Sequence, residues 1–216
     1  MQGKIQKNLF QDLSKINYSL SRFLKNIDRP NILEFGVQLG SSTKYFLDLC
    51  KEKNGKLYSV DIDDCSKLFN SNYWKFIQSR DDNFEYILGK IPKKLDVIYL
   101  DTIHTAKHVE KIFNHYYKYL NKNGFFIVDD ISWLPYLKSN YFNNFFCEIN
   151  NKETFDKILS IYNKNLKNFE LSFSFKGTGT AIIEKLNNNE LNDYKNIKTR
   201  EISLKNILRN LLRKDG

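Results

Sequence analysis

The chain has 216 residues, and its 34 lysines and arginines against 25 aspartates and glutamates give a formal net charge of +9. With 41% hydrophobic and 27% charged residues it has a globular composition, and one domain is the default at this length. No apolar run approaches the ~20 residues that span a bilayer, and the N-terminus is polar, so we expect a cytoplasmic protein. Three widely spaced cysteines without a CxxC pair argue against a disulfide scaffold or a thiolate zinc site.

Apolar residues spaced by three and four predict an amphipathic helix over residues 5–24, which ends before Pro30. Short apolar strands and helices then alternate, and either Ser41 or Ser42 is the expected N-cap of the first helix. Alternation with short loops predicts an α/β fold with a doubly wound, mostly parallel sheet. The predicted elements are strand Asn31–Phe35, helix Ser41–Lys51, strand Lys56–Asp61, a helical stretch in the sixties, strand Trp74–Gln78, helix Phe84–Leu88, strand Leu95–Asp101, helix Thr105–Leu120 and strand Gly124–Asp129.

The C-terminal third closes the domain and adds a tail. Phe169–Phe175 and Thr180–Lys185 flank a glycine-containing turn, which predicts an antiparallel hairpin. We therefore assign residues 1–185 to one domain, and residues 186–216 to a polar linker and a basic amphipathic helix. We expect residues 199–213 to form a helix that packs either on the domain itself or on a partner subunit. Packing on a partner subunit would make the protein a homo-oligomer. Its basic amphipathic character also permits a role at a membrane surface.

The first chemical signal is the segment of residues 34–42, EFGVQLGSS, which follows the first strand. Ligands bind beyond the carboxyl ends of strands in doubly wound sheets, and a helix that begins at Ser41 offers free N–H groups there. The G-x-x-x-G spacing differs from the dinucleotide and phosphate-loop motifs. A turn that serves only strand–helix packing is the alternative. Asp61 adds weight to a ligand site, because a carboxylate that ends the second strand can accept both hydroxyls of a ribose.

Together these residues resemble the cofactor site of class I S-adenosylmethionine-dependent methyltransferases, whose first motif has the form E-x-G-x-x-x-G. The resemblance implies that the glutamate and glycine loop lie by the methionine moiety, that Asp61 binds the ribose, and that Asp81 contacts the adenine. Asp81 could equally be a helix N-cap. The predicted cofactor-binding residues are Glu34, Gly36, Gln38, Gly40, Ser41, Ser42, Asp61 and Asp81.

Carboxylates also end the fourth and fifth predicted strands. Asp101 is followed three residues later by His104, and Asp129 is adjacent to Asp130. Because the ends of neighbouring parallel strands meet at one edge of the sheet, we expect these acids to converge, and their mutual repulsion would raise their pKa values. A hard divalent cation such as Mg²⁺ relieves that repulsion. Separate roles, with Asp130 as a helix cap and Asp101 bonded to a loop, are the alternative.

This pattern of D-x-x-H and D-D resembles metal-dependent small-molecule O-methyltransferases over about residues 30–185, especially those that methylate macrolide sugars, together with cephalosporin hydroxylase-like proteins. The resemblance implies that Asp101, Asp129 and Asp130 ligate Mg²⁺ and that His104 is the general base toward an acceptor hydroxyl. The family's aromatic residue two positions after the histidine is absent here, where Thr105-Ala106 stand. We expect His108 and His115 to be surface or packing residues.

Two other functions stay open. A nucleic-acid methyltransferase would suit the net charge, but basic residues are scattered and no Asp/Asn-Pro-Pro-Tyr-type motif follows the fourth strand, so we do not expect nucleic acid as a partner. The other is a non-catalytic binding or assembly subunit on the same fold. Acceptor specificity should lie in the N-terminal helix and in residues 131–157, whose aromatics either line a pocket or pack in the core. These are Trp133, Tyr136, Tyr141, Phe142, Phe145 and Phe146.

Overall fold

A computed structural model of the chain describes residues 20–133 and 145–192, together with positions 204, 205, 208 and 211. Residues 20–24 are helical and precede the first strand. The further elements are β1 Asn31–Phe35, α1 Ser41–Lys53, β2 Lys56–Asp61, β3 Trp74–Gln78, α2 Phe84–Leu88, β4 Leu95–Leu100, α3 Ala106–Tyr116 with a 3₁₀ turn at Tyr117–Tyr119, β5 Leu120–Asp129, α4 Phe145–Lys164, β6 Phe169–Ser174 and β7 Thr180–Lys185.

The strands form one seven-stranded sheet in the order β3-β2-β1-β4-β5-β7-β6. Strands β1 to β5 run parallel, whereas β7 is antiparallel to both β5 and β6. The strand order reverses between β1 and β4, and ligands bind at the carboxyl ends of the strands beside such a switch point. The predicted doubly wound sheet with a C-terminal antiparallel hairpin is therefore confirmed.

Alternate residues of the strands face two hydrophobic layers. Leu33 and Phe35 pack with residues of α3 and α4, whereas Ile32 packs with α1 and with the helical residues Leu20 and Leu24. Helices thus cover both faces of the sheet, which explains why its central strands are almost entirely buried. This rigid core fixes the loops at the carboxyl edge, where the predicted site residues lie.

Most predicted strand bounds are reproduced, but the predicted helical stretch in the sixties is wrong. The backbone there turns instead, because Asp61 Oδ1 accepts the N–H of Asp63 at 3.0 Å and Asp64 Oδ1 accepts that of Ser66 at 3.0 Å. Such side-chain bonds satisfy the backbone locally and compete with a helix. The helix predicted to reach Leu120 ends earlier, since Leu120 already belongs to β5.

The linker after β7 is held to the domain by asparagines. The N–H of Asn192 donates to Asn165 Oδ1 at 2.7 Å, and Asn168 Nδ2 donates to the carbonyl of Glu190 at 3.1 Å. Near the C-terminus Leu204, Leu208 and Leu211 are helical and exposed. Outside the described residues lie the remainder of the predicted tail, residues 5–19 of the predicted N-terminal helix, and residues 134–144 of the aromatic segment. None of the described helices is long and apolar enough to cross a bilayer.

Candidate functional site

One cavity of about 580 Å³ opens at the carboxyl edge of the sheet. Its size falls in the range of clefts that bind small molecules and cofactors. It brings together residues 36–40, which we call the glycine loop, the ends of β2 to β5, and the turn between β6 and β7. Of the predicted site residues, those that line it are Gly36, Gln38, Ser41, Ser42, Asp61, Asp81, Asp101, His104, Asp129 and Asp130.

Backbone conformation and close packing explain why glycines occupy both ends of the glycine loop. Gly36 has a φ of +92°, and a Cβ at this position would lie 2.0 Å from the carbonyl oxygen of Asp101. Gly40 has a φ of +81° and caps the N-terminus of α1. The expected capping role of Ser41 or Ser42 is therefore wrong, because a glycine in the left-handed conformation begins the helix and the Ser42 hydroxyl bonds elsewhere.

Asp61 at the end of β2 is bonded to the glycine loop. Its Oδ2 accepts the backbone N–H groups of Val37 at 2.7 Å and Gln38 at 3.1 Å. Partial burial opposes ionisation, but backbone N–H donors outweigh it and hold the pKa of this carboxyl below its usual value. Asp61 is thus an ionised acceptor that faces the cavity and also fixes the shape of the loop.

Glu34 lies beneath the cavity and is not among the residues that line it. Its carboxylate is fully buried and accepts hydroxyl bonds from Ser42 at 2.6 Å, Thr43 at 2.8 Å and Ser59 at 2.6 Å. Burial raises the pKa of Glu34 to about 7, although the three hydroxyl donors pull it down. Its observed contacts join β1, α1 and β2; direct contact with a cofactor remains a prediction.

Asp81 is held by two side chains from later in the chain. Its Oδ2 accepts the hydroxyl of Thr102 at 2.5 Å and lies 2.7 Å from Nε2 of His108. The helix N-cap is Asn83, so Asp81 does not have the alternative capping role. His108 is partly buried against Asp81, which agrees with the packing role, one of the two expected for it. His115 fits its expected packing role, since it stacks on Phe84 at 3.6 Å.

A cluster of two carboxylates and one imidazole lies at the ends of β4 and β5. Nε2 of His104 is 3.5 Å from Oδ1 of Asp101 and 3.4 Å from Oδ2 of Asp130. Among the described residues, Asp101, His104 and Asp130 form a group whose potential ligand atoms all lie within 4.8 Å of one another. Asp130 has a φ of +58°, which changes the chain direction immediately after β5. This donor set fits a divalent cation.

Asp129 belongs to the same cavity but has a different environment. It is 7% exposed, its Oδ2 accepts the Tyr99 hydroxyl at 3.0 Å, and its Oδ1 accepts the Thr180 hydroxyl at 3.0 Å. The structure thus brings the three predicted carboxylates to one place and adds His104 to the two that form the compact donor group. Whether Asp129 is also a ligand remains a prediction.

Sequence reasoning missed several residues that bond to the carboxylates of this cavity. Tyr99, Thr180 and Thr102 hold carboxylates of the site, and His108 holds Asp81 from the first turn of α3. The signal for His108 was its position in a helix that begins next to the β4 tip, because the first turn of such a helix faces the carboxyl edge. Nothing local in the sequence indicates that Thr180 reaches across from β7.

Comparison with known proteins agrees with this geometry. Residues 33–131 match a family described as a methyltransferase domain. They contain the glycine loop, Asp61 and the acidic cluster, by which we mean Asp101, His104, Asp129 and Asp130. The match covers 99 of the 216 residues, and this part of the chain is similar to that methyltransferase family. The chain is also 37% identical over 151 residues to an uncharacterized protein of Acanthamoeba polyphaga mimivirus, covering 61% of this chain and 67% of that protein.

Solved structures share the fold at low sequence identity. A proposed caffeoyl-CoA O-methyltransferase from Staphylococcus aureus superposes with a TM-score of 0.59 at 19% identity, covering 80% of this chain and 82% of that one. The MycE methyltransferase of the mycinamycin biosynthetic pathway, in complex with Mg and SAH, gives 0.62 at 19% identity and covers 85% of this chain. The chain spans 52% of MycE, about half its length. The protein therefore has the fold of S-adenosylmethionine-dependent O-methyltransferases.

Proposed function

We propose that the protein transfers a methyl group from S-adenosylmethionine to a hydroxyl of a small molecule, with the help of a divalent cation. The observation that carries this proposal is a single cavity that joins the glycine loop and Asp61 to Asp101, His104 and Asp130. A sugar or glycoside is the proposed acceptor. Support comes from the likeness to MycE, one structure of which also contains mycinamycin VI.

The cofactor side of the cavity is built for a nucleoside with a polar chain. Asp61 retains Oδ1 and Oδ2 at the edge of the cavity, where ribose hydroxyls would be accepted while the loop N–H groups stay bonded. Gly36 permits the left-handed backbone and the close approach to Asp101 that set the shape of the loop along the cavity. Leu39 and Ile62 line the same cavity and are exposed, so they supply apolar surface for the purine.

The acceptor side contains the acidic cluster. A divalent cation held by Asp101 and Asp130, with Asp129 beside them, would supply positive charge that orients a hydroxyl and favours its ionisation. Tyr99 and Thr180 hold the Asp129 carboxylate in place. His104 would accept the hydroxyl proton at Nε2, where the two neighbouring carboxylates stabilise the resulting imidazolium.

Positioning of the methyl donor and the acceptor hydroxyl would supply much of the rate acceleration. The methyl donor and the acceptor oxygen would be held in one enclosed site, so the transfer becomes effectively unimolecular. The acceptor oxygen gains a bond to the methyl carbon as the carbon–sulfur bond breaks, and the sulfonium becomes the neutral thioether of S-adenosylhomocysteine. The proton leaves with His104.

The test is transfer of labelled methyl from S-adenosylmethionine to a panel of sugar, macrolide-glycoside and catechol acceptors, with Mg²⁺ or Mn²⁺ and with a chelator. We expect transfer to at least one hydroxyl class, and loss of transfer on chelation. Asp130→Asn should lose activity, because a neutral amide is a weaker ligand. Asp63→Asn is the matched control, since Asp63 is exposed outside the cluster.

The outcomes separate the alternatives. Undiminished transfer in the presence of the chelator would contradict the metal-assisted reaction. Binding of S-adenosylhomocysteine without transfer to any small molecule would instead favour the binding or assembly role. Transfer to RNA or DNA in place of small acceptors would contradict the proposed substrate class.

A further inference from the structure

The two carboxylate oxygens of Asp81, a residue that lines the cavity, differ in their hydrogen bonding. Asp81 lies in the loop between β3 and α2, and its side chain is 6% exposed. Thr102 and His108 both reach the same oxygen, Oδ2, at 2.5 and 2.7 Å. Among the side chains that the structure describes, those that bond to the Asp81 carboxylate do so at Oδ2 and none at Oδ1. One oxygen is therefore anchored by the protein, and the other can accept a bond from a ligand.

Helix α3 fixes this loop at several points. The hydroxyl of Tyr116 donates to the backbone carbonyl of Asp81 at 3.3 Å, and Lys111 pairs with Asp82 at 3.0 Å. Arg80 pairs with Asp82 from within the loop at 3.0 Å. The backbone of the loop is thus held independently of His108. Loss of the His108 side chain should free the Asp81 carboxylate to rotate while the loop keeps its position.

We infer that His108 is a positioning residue for base recognition: it fixes Asp81 as the acceptor for the exocyclic amino group of a 6-aminopurine. This inference rests on the proposed function, because the purine belongs to the cofactor. Nε2–H of His108 donates to Oδ2, whatever the charge of the ring, since a carboxylate offers only acceptors. The orientation leaves Oδ1 for a ligand N–H.

The chemical consequence is discrimination between amino and oxo purines. An amino group at the purine C6 donates to Oδ1, whereas an oxo group there would bring a second acceptor against a carboxylate. A buried acceptor left without its donor disfavours the wrong ligand strongly. A carboxylate that can rotate loses this discrimination, because it can turn its charge away from the oxo group and toward Thr102 or solvent.

The experiment compares calorimetric affinities for S-adenosylhomocysteine and S-inosylhomocysteine, which differ at C6 of the purine. We expect the wild-type protein to prefer the amino form by about 10- to 100-fold, the usual worth of a hydrogen bond to a charged group. His108→Leu should reduce this preference to about 3-fold or less. His108→Gln should restore most of it, because its amide can place an N–H near the original Nε2.

Two further variants control for altered folding. Thr102→Val removes the other donor to Oδ2 at nearly constant volume and should lower the preference without loss of the fold. His115→Leu removes a histidine from the same helix at a site packed on Phe84, and should leave the preference at the wild-type value.

The results that overturn the inference are distinct from those that overturn the proposed function. If His108→Leu and Thr102→Val both keep the wild-type preference while binding S-adenosylhomocysteine, His108 does not position Asp81 for base recognition. If the wild-type protein binds neither nucleoside, the cofactor site itself is wrong.

Discussion

Replacement of Glu34 by glutamine tests the buried network beneath the glycine loop. The pKa of Glu34 is raised from 4.5 to about 7 because burial outweighs the hydroxyl donors Ser42, Ser59 and Thr43. The folded protein therefore holds this proton more tightly than the unfolded chain does. The stabilisation is complete below pH 4.5 and is lost as the pH rises through about 7.

The magnitude follows from the same shift. One pKa unit is worth about 1.4 kcal/mol, so the difference between 4.5 and about 7 corresponds to roughly 3 kcal/mol. Glutamine is neutral at every pH and lacks this contribution. Relative to the wild type, the Glu34→Gln protein should therefore gain up to roughly 3 kcal/mol of unfolding free energy between pH 4.5 and 8.

Urea unfolding of both proteins across this pH range measures the effect as the difference between two curves, so titrations elsewhere in the chain cancel. Glu52→Gln is the matched control, because it removes the same charge from an exposed position on α1, and its curve should parallel the wild type. Parallel curves for Glu34→Gln as well would refute the account of Glu34 as a buried carboxyl with a raised pKa.

Three further substitutions test the cavity. Gly36→Ala should cost about 2 kcal/mol or more in urea unfolding and weaken S-adenosylhomocysteine binding, because its Cβ would lie 2.0 Å from a backbone oxygen at a φ of +92°. Asp61→Asn should weaken calorimetric binding of S-adenosylhomocysteine by about 10- to 100-fold, because an amide replaces a charged acceptor. His104→Ala should slow single-turnover methyl transfer by about 10² to 10⁴-fold and keep cofactor binding, as expected for a lost base.

Each has an outcome that contradicts it. Wild-type stability of Gly36→Ala would mean that the loop does not approach β4 as described. Unchanged affinity of Asp61→Asn would remove this carboxylate from the cofactor site. A His104→Ala protein that transfers methyl as fast as the wild type would exclude a base role, and one that loses metal binding would make His104 a ligand instead.

The sequence predicted best the bounds of the buried strands and the residues at their carboxyl ends. Buried strands such as Asn31–Phe35 and Trp74–Gln78 have the predicted bounds, since short apolar runs between turn residues are typical of parallel strands. Asp101 and Asp130 could be placed together because neighbouring parallel strands end at one edge. The order of the strands then determines that both reach the same cavity.

Long-range hydrogen bonds were beyond sequence reasoning. Asp81 and His108 are 27 residues apart, and no spacing rule pairs them. The Thr180 bond to Asp129 joins residues 51 apart across the antiparallel β5–β7 pair. The misassigned helix in the sixties has a local cause, because the aspartate side chains satisfy backbone N–H groups that a helix would have used.

The central claim is that one cavity holds both S-adenosylmethionine and a divalent cation. Calorimetric titration of Mg²⁺, and separately Mn²⁺, into protein saturated with S-adenosylhomocysteine tests it most directly, with Asp130→Asn and the exposed-site control Asp63→Asn alongside. We predict one metal site in the wild type and in Asp63→Asn, its loss in Asp130→Asn, and cofactor binding in all three. Absence of metal binding in the cofactor-saturated wild type, or full metal affinity in Asp130→Asn, would contradict the account.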